Sequence, residues 1–69
     1  MQIGIIGLGR MGSNMASRLC NDSHEVFAYD RDPDIRSAMA IYSPNITVLD
    51  SLEDLATSLE QPRVIIIMV

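Results

Sequence analysis

The sequence predicts an α/β fold, the first part of a doubly wound parallel sheet with strand order 3-2-1-4, and three observations predict it. Short apolar runs alternate with stretches of helical spacing along the chain. All four glycines lie between Gly4 and Gly12, and Gly7-Leu8-Gly9-Arg10-Met11-Gly12 directly follows the first apolar run. An acid, Asp30, closes the second apolar run.

Met1-Gln2-Ile3-Gly4-Ile5-Ile6 has the form of a central parallel strand buried on both faces. Beyond the glycines, Met11, Met15, Ala16 and Leu19 recur at helical intervals with Arg10, Ser13, Asn14, Ser17 and Arg18 opposite them. That spacing predicts an amphipathic helix with Met15 in its core. Asn21-Asp22-Ser23 is the following loop, and His24 and Glu25 lead into a second strand, Val26-Phe27-Ala28-Tyr29. His24 reads as a loop-edge histidine, with no carboxylate or cysteine constellation near it to make an acid or base.

Asp32-Pro33 starts the second helix, Asp32 as cap and Pro33 at the first helical position, where its missing N–H costs nothing. Ile35, Ala38, Met39 and Tyr42 form its apolar stripe, and Ser43-Pro44-Asn45 breaks it. Ile46-Thr47-Val48-Leu49 is a short third strand. Ser51 and Asp54 have capping-box spacing, which opens a third helix with the stripe Leu52, Leu55, Ala56, Leu59 and a stop at Pro62. The last run, Val64-Ile65-Ile66-Ile67-Met68-Val69, reads as a strand buried on both faces, with Met68 in the core like Met39. Right-handed crossovers place this strand beside the first. A buried strand is not normally a domain's last element, because its free edge invites aggregation, so the natural chain is expected to continue past Val69.

Composition excludes several function classes. The 69 residues carry a net charge of −4 with five scattered basic side chains, which argues against nucleic acid or an anionic membrane as partner. Cys20 is the single cysteine, so neither a disulfide framework nor a metal cluster is expected, and it reads as a small buried hydrophobe. No run approaches the ~20 apolar residues of a membrane span, and the N-terminus lacks the pattern of a signal peptide. The cytoplasm is the default compartment, and the sequon Asn45-Ile46-Thr47 is read as chance. A core of this size leaves only marginal stability.

The glycine stretch has the context of a dinucleotide-binding Rossmann turn, a strand before it and a helix after it. Gly7 suits the tight turn, Gly9 presents backbone without a Cβ to a pyrophosphate, and Gly12 lets helix and strand lie close. The helix's unpaired first-turn amides then face the phosphates. Asp30 stands where an acid receives the adenosine ribose hydroxyls. Its charge favours NAD over NADP: two unit charges ~4 Å apart at an effective dielectric near ~20 repel by at most about 4 kcal/mol. Arg31 works the other way, as a 2′-phosphate partner or a platform for adenine, unless it is simply solvated. Arg10 faces either a phosphate or solvent, and Met11 either the cofactor or the core.

These residues also carry a family resemblance. Gly7 through Met15, His24-Glu25-Val26, Tyr29-Asp30-Arg31, Ser51 through Leu55, and Pro62-Arg63 before a strand ending Met68-Val69 resemble the N-terminus of the 6-phosphogluconate dehydrogenase family. Within the wider 3-hydroxyacid dehydrogenase superfamily, the similarity is to the shorter bacterial form and covers essentially the whole chain. It implies that residues 1–69 are the N-terminal part of the cofactor domain, with a helical substrate and dimerisation domain, the catalytic residues and most substrate ligands beyond Val69. Alone, the piece would not be catalytic. The implied reaction is oxidative decarboxylation of 6-phosphogluconate to ribulose 5-phosphate and CO2 with NAD or NADP, in the pentose phosphate pathway. By resemblance Gly7, Leu8, Gly9, Arg10, Met11 and Gly12 hold the pyrophosphate, Asp30 and Arg31 the adenosine, and Val69 begins the loop beside the nicotinamide half. Asp30-Arg31-Asp32 departs from the Asn-Arg-Ser or Asn-Arg-Thr of NADP-dependent members. Other functions compatible with the residues are a hydroxyisobutyrate dehydrogenase-like enzyme and a non-catalytic module that senses nicotinamide nucleotides.

Overall fold

Four parallel strands in the order β3-β2-β1-β4 form the sheet that places everything else. The computed structural model describes residues 1–59 and 64–68. Along the chain run β1 (Gln2–Ile6), α1 (Arg10–Asn21), β2 (Glu25–Tyr29), α2 (Pro33–Tyr42), β3 (Thr47–Val48), α3 (Leu52–Ser58) and β4 (Ile65–Ile67). Fold class and strand order agree with the sequence expectation. Pro62 and Val69 lie outside the described residues.

Alternation along the central strands divides the core in two. Ile3 and Ile5 of β1 and Val26 and Ala28 of β2 join Leu8, Ala16, Met39 and Ile46 on the side of α1 and α2. Phe27 meets Leu55 and Leu59 on the side of α3, with Ile6, Tyr29 and Leu49 packed around them. Each helix start has its own local cause. Asp32 accepts a hydrogen bond from the Asp34 amide at 2.9 Å, with Pro33 in the first turn of α2. Ser51 Oγ accepts from the Asp54 amide at 3.0 Å and opens α3. Both are the predicted caps.

The last turn of α1 closes differently. Ser23 N–H donates to the Cys20 carbonyl and His24 N–H to the Leu19 carbonyl, each at 3.1 Å, the paired bonds of a Schellman motif. Ser23 takes the left-handed position of that motif, with φ 72°.

Several expectations are corrected. Helix α1 begins at Arg10, inside the glycine stretch, and its buried residues are Gly12 and Ala16, backed by Leu19 and Cys20. A Cβ on Gly12 would collide with the Gly7 carbonyl oxygen, so the small side of the helix, not its methionines, meets the sheet. Met15 is therefore exposed rather than core, while Ser13 and Ser17 turn half inward. On α2 only Met39 is fully buried, because Ala38 and Tyr42 line an open groove between α1 and α2 and Tyr42 is 87% exposed. Leu52 is exposed because it stands at the start of α3, above the strand ends. Strand β3 pairs only over Thr47–Val48. Strand β4 is not buried on both faces: it has one neighbour, β1, and Ile65 and Ile67 are exposed.

Candidate functional site

A cleft of about 690 Å³ opens where β1 and β2 end, lined by Ile6, Gly7, Gly9, Asp30, Met68 and their neighbours. Register brings these groups together. Ile6 pairs with Tyr29 on one side and Ile67 on the other, so Gly7, Asp30 and Met68 emerge side by side. Gly7 has φ 96°, a backbone conformation that side chains resist, and it turns the chain from β1 toward α1. Its N–H donates to the Tyr29 carbonyl at 2.9 Å.

The start of α1 is built for an anion. Gly9 is its N-cap and supplies no side-chain acceptor, so the first-turn amides have no cap. No acid lies in that turn, whereas α2 has Asp34 and α3 has Glu53 and Asp54 there. The positive end of the α1 dipole is therefore left unneutralised. A Cβ built on Gly9 would meet nothing within 4 Å, so open space lies beside this backbone. Gly12 is different, since there the Gly7 carbonyl blocks a Cβ. One glycine keeps space for a ligand and the other packs helix on turn.

Asp30 faces this helix end across the cleft. Its Oδ2 accepts from the Leu8 N–H at 2.8 Å and its Oδ1 from the Asp32 N–H at 2.9 Å. The Leu8 bond is the main cause holding the Asp30 carboxyl below its ordinary value; the Asp32 bond and the nearby Arg31 and Arg36 charges add to it, and partial burial opposes it. Each oxygen retains a further lone pair for a donor in the cleft. An ionised carboxylate thus faces an uncapped helix end, a pairing that suits a ligand with hydroxyls at one part and phosphates at another.

A family model described as the NAD binding domain of 6-phosphogluconate dehydrogenase matches residues 2–69. The chain belongs to this family. A 6-phosphogluconate dehydrogenase of Bacillus subtilis (strain 168), named NAD(+)-dependent and decarboxylating, is 38% identical over 69 residues, 97% of this chain and 15% of the relative. Decarboxylating 6-phosphogluconate dehydrogenases of Bacillus licheniformis, 39% identical over 97% of this chain and 15% of the relative, and of Haemophilus ducreyi, 41% over 97% and 14%, are also similar. The chain spans about 15% of the length of the first of these relatives. It belongs to the NAD-binding domain of the 6-phosphogluconate dehydrogenase kind.

Within this domain, the sequence-predicted residues divide by location. Gly7, Gly9, Asp30 and Arg31 all line the cleft. Leu8 sends its side chain into the core at 3% exposure and offers only backbone, with its amide already on Asp30. Arg10 is exposed at the first helical position, and Met11 is 72% exposed, which removes the core alternative for it. Val69 lies outside the described residues; Met68 before it reaches the cleft. His24 is half-buried at the loop edge, as expected, with its Nδ1 enclosed and unpartnered. Among the described residues no cluster of histidine, cysteine and carboxylate side chains could hold a metal ion, and no helix is long and apolar enough to cross a membrane.

Three parts of the site escaped the sequence reading. Ser13 Oγ donates to the Leu8 carbonyl at 2.7 Å and braces the glycine turn from the helix. Leu52, assigned by spacing to the core, supplies an apolar wall of the cleft. Arg36 donates through Nη1 to the Asp30 carbonyl at 2.8 Å. Ser13 bonds five residues back, outside the usual local serine spacings, and Leu52 and Arg36 act through neighbours that periodicity does not encode.

Proposed function

We propose that this chain is the cofactor-binding part of an NAD-dependent 6-phosphogluconate dehydrogenase, whose intact protein oxidatively decarboxylates 6-phosphogluconate to ribulose 5-phosphate and CO2. The observation that carries the proposal is one cleft with the bare amides of α1 on one side and the Asp30 carboxylate on the other. Names of the relatives supply the substrate and reaction class.

In this reading Gly7 and Leu8, their amides already on Tyr29 and Asp30, shape the turn, and the diphosphate lies against Gly9, which leaves space, and the first-turn amides of α1 through Gly12. Arg10 adds positive charge beside it. The free lone pairs of Asp30 accept the adenosine ribose hydroxyls, Arg31 and Leu52 flank the adenine, and Met11 offers its exposed side chain to the cofactor. The chemistry NAD supplies when bound is acceptance of a hydride from the substrate carbon. Catalytic and substrate-phosphate groups belong to parts of the protein outside these residues, as does a helical domain that forms the dimer. A cytoplasmic location follows from the substrate class.

Asp30 sets the cofactor preference, because a 2′-phosphate would meet an ionised carboxylate already fixed by two amides. A third of the Coulomb limit of about 4 kcal/mol is already about tenfold in affinity. Calorimetric titration of the intact protein is expected to give a lower Kd for NAD than for NADP, with Asp30→Asn narrowing the difference. Tighter NADP binding by the unmodified protein would overturn the assignment of Asp30.

A further inference from the structure

Arg36 stands behind the cleft, not in it. Its Nη1 donates to the Asp30 carbonyl at 2.8 Å, its guanidinium carbon lies 5.6 Å from the centroid of the Tyr29 ring, and its Nε is 3.9 Å from Asp50 Oδ1. The side chain is only 20% exposed, whereas that of Asp50 is 92% exposed, so the Asp50 pair is a weak solvated contact. Weight falls on the other two. A planar guanidinium can donate in its plane to a carbonyl while its face rests on an aromatic ring, which an ammonium cannot do.

The group that Arg36 grips is the main chain of Asp30, whose carboxylate is held from the other direction by the Leu8 and Asp32 amides. All three bonds meet at the residue where β2 ends and the chain turns into α2. Without the guanidinium, the Asp30 peptide could rotate and the carboxylate would follow it. We propose that Arg36 is a positioning residue for adenosine recognition: by locking the Asp30 peptide against Tyr29, it aims the carboxylate at the ribose hydroxyls without touching the cofactor. This rests on the reading of Asp30 as the ribose acceptor. It also separates Arg36 from Arg31, since Arg31 lines the cleft and Arg36 has its donors engaged outside it.

The test uses the intact protein with ADP and 2′,3′-dideoxy-ADP as probes, which differ only in the hydroxyls. Unmodified protein binds ADP more tightly. Arg36→Met is expected to weaken ADP about tenfold, the size of one misaligned hydrogen bond to a charged group, and dideoxy-ADP less than twofold. Arg36→Lys keeps the charge but not the fork, and should resemble Arg36→Met in ADP affinity. Carboxyl 13C titration gives a second readout: the Asp30 pKa should rise in Arg36→Met and much less in Arg36→Lys. Equal weakening of both probes, or of neither, overturns the proposal, as does restoration of ADP affinity by lysine. Selective loss of NADP binding overturns it too, by making Arg36 a phosphate ligand. Asp30→Asn in the same assay separates the two failures. If it abolishes discrimination while Arg36→Met does not, only Arg36 is wrong; if neither probe is preferred by the unmodified protein, the Asp30 assignment falls and this inference with it.

Discussion

Gly9 and Gly12 stand three residues apart in one motif, yet the structure gives them opposite jobs, and alanine at each should separate the two. At Gly12 a Cβ would strike the Gly7 carbonyl oxygen, a backbone atom that cannot swing away. Overpacking of this kind costs roughly 1–3 kcal/mol, more than the ~1 kcal/mol that alanine gains over glycine inside a helix. Gly12→Ala is therefore expected to lower the melting temperature and NAD affinity together. At Gly9 the added methyl meets nothing within 4 Å and φ is −63°, ordinary for alanine. Gly9→Ala should keep stability within about 0.5 kcal/mol of the parent and still lose NAD affinity by tenfold or more, read by melting and calorimetry on the same samples. Asp30 adds a pH dependence at this scale. Its carboxyl is held below the ordinary 3.8, first by the Leu8 amide. A depressed folded-state pKa contributes stability that is present above the unfolded value and lost as pH falls through the folded one. Melting temperature should thus fall on acidification below about pH 4 partly through Asp30, and Asp30→Asn should flatten that part of the profile. At neutral pH the same variant sets a carboxamide N–H₂ against a backbone N–H, at a cost of about 1–2 kcal/mol.

At the scale of the element, the caps show what was legible in the sequence and what was not. Asp32-Pro33 and Ser51 with Asp54 carry their signals within four residues, and both caps form as those signals predict. The end of α1 hides its motif, because the left-handed position usually marked by glycine is occupied by Ser23. Ser23→Gly is expected to stabilise the protein by about 0.5–1 kcal/mol, the left-handed penalty less the extra freedom of glycine in the unfolded chain. Ser51→Ala should cost about 1 kcal/mol by loss of its bond to the Asp54 amide. Chemical denaturation of both variants checks the pair. The facing of α1 was misjudged for a related reason. Met11, Met15, Ala16 and Leu19 made a persuasive stripe, but of these only Ala16 is buried, and it shares the buried side with Gly12, where the smallest residues allow the closest approach. Hydrophobic spacing measures which side could be buried, not which side a neighbouring backbone admits. The glycine turn and Asp30 were legible because their demands are local or fixed by strand register, whereas Arg36 depends on how α2 folds back over the end of β2 and Leu52 on where α3 comes to rest.

Over the whole molecule, the balance lies between a well-closed interior and one open edge. A radius of gyration of 10.5 Å is near the ~11 Å of a compact chain of 69 residues. Both core clusters centre on β1 and β2; of β4, Ile66 packs against the first of them, whereas Ile65 and Ile67 are exposed, Ile67 at 63%. Two surfaces could therefore drive self-association of the 69-residue chain. One is the edge of β4, where Ile65 and Ile67 are exposed and β4 has no strand on its outer side among the described residues. The other is α2, where Ile41 and Tyr42 are exposed side by side. The edge should dominate, because backbone pairing recruits a second strand along its length whereas two side chains on a helix offer only a small patch. Sedimentation velocity across a concentration series is expected to show association that Ile67→Lys suppresses and Ile41→Lys leaves in place. Lysine at position 67 preserves the backbone bonds of β4 to β1 while setting a charge against any strand that approaches the free edge. The reverse result, suppression by the α2 variant alone, would move the sticky surface from the sheet to the helix and make the β4 edge an innocent boundary.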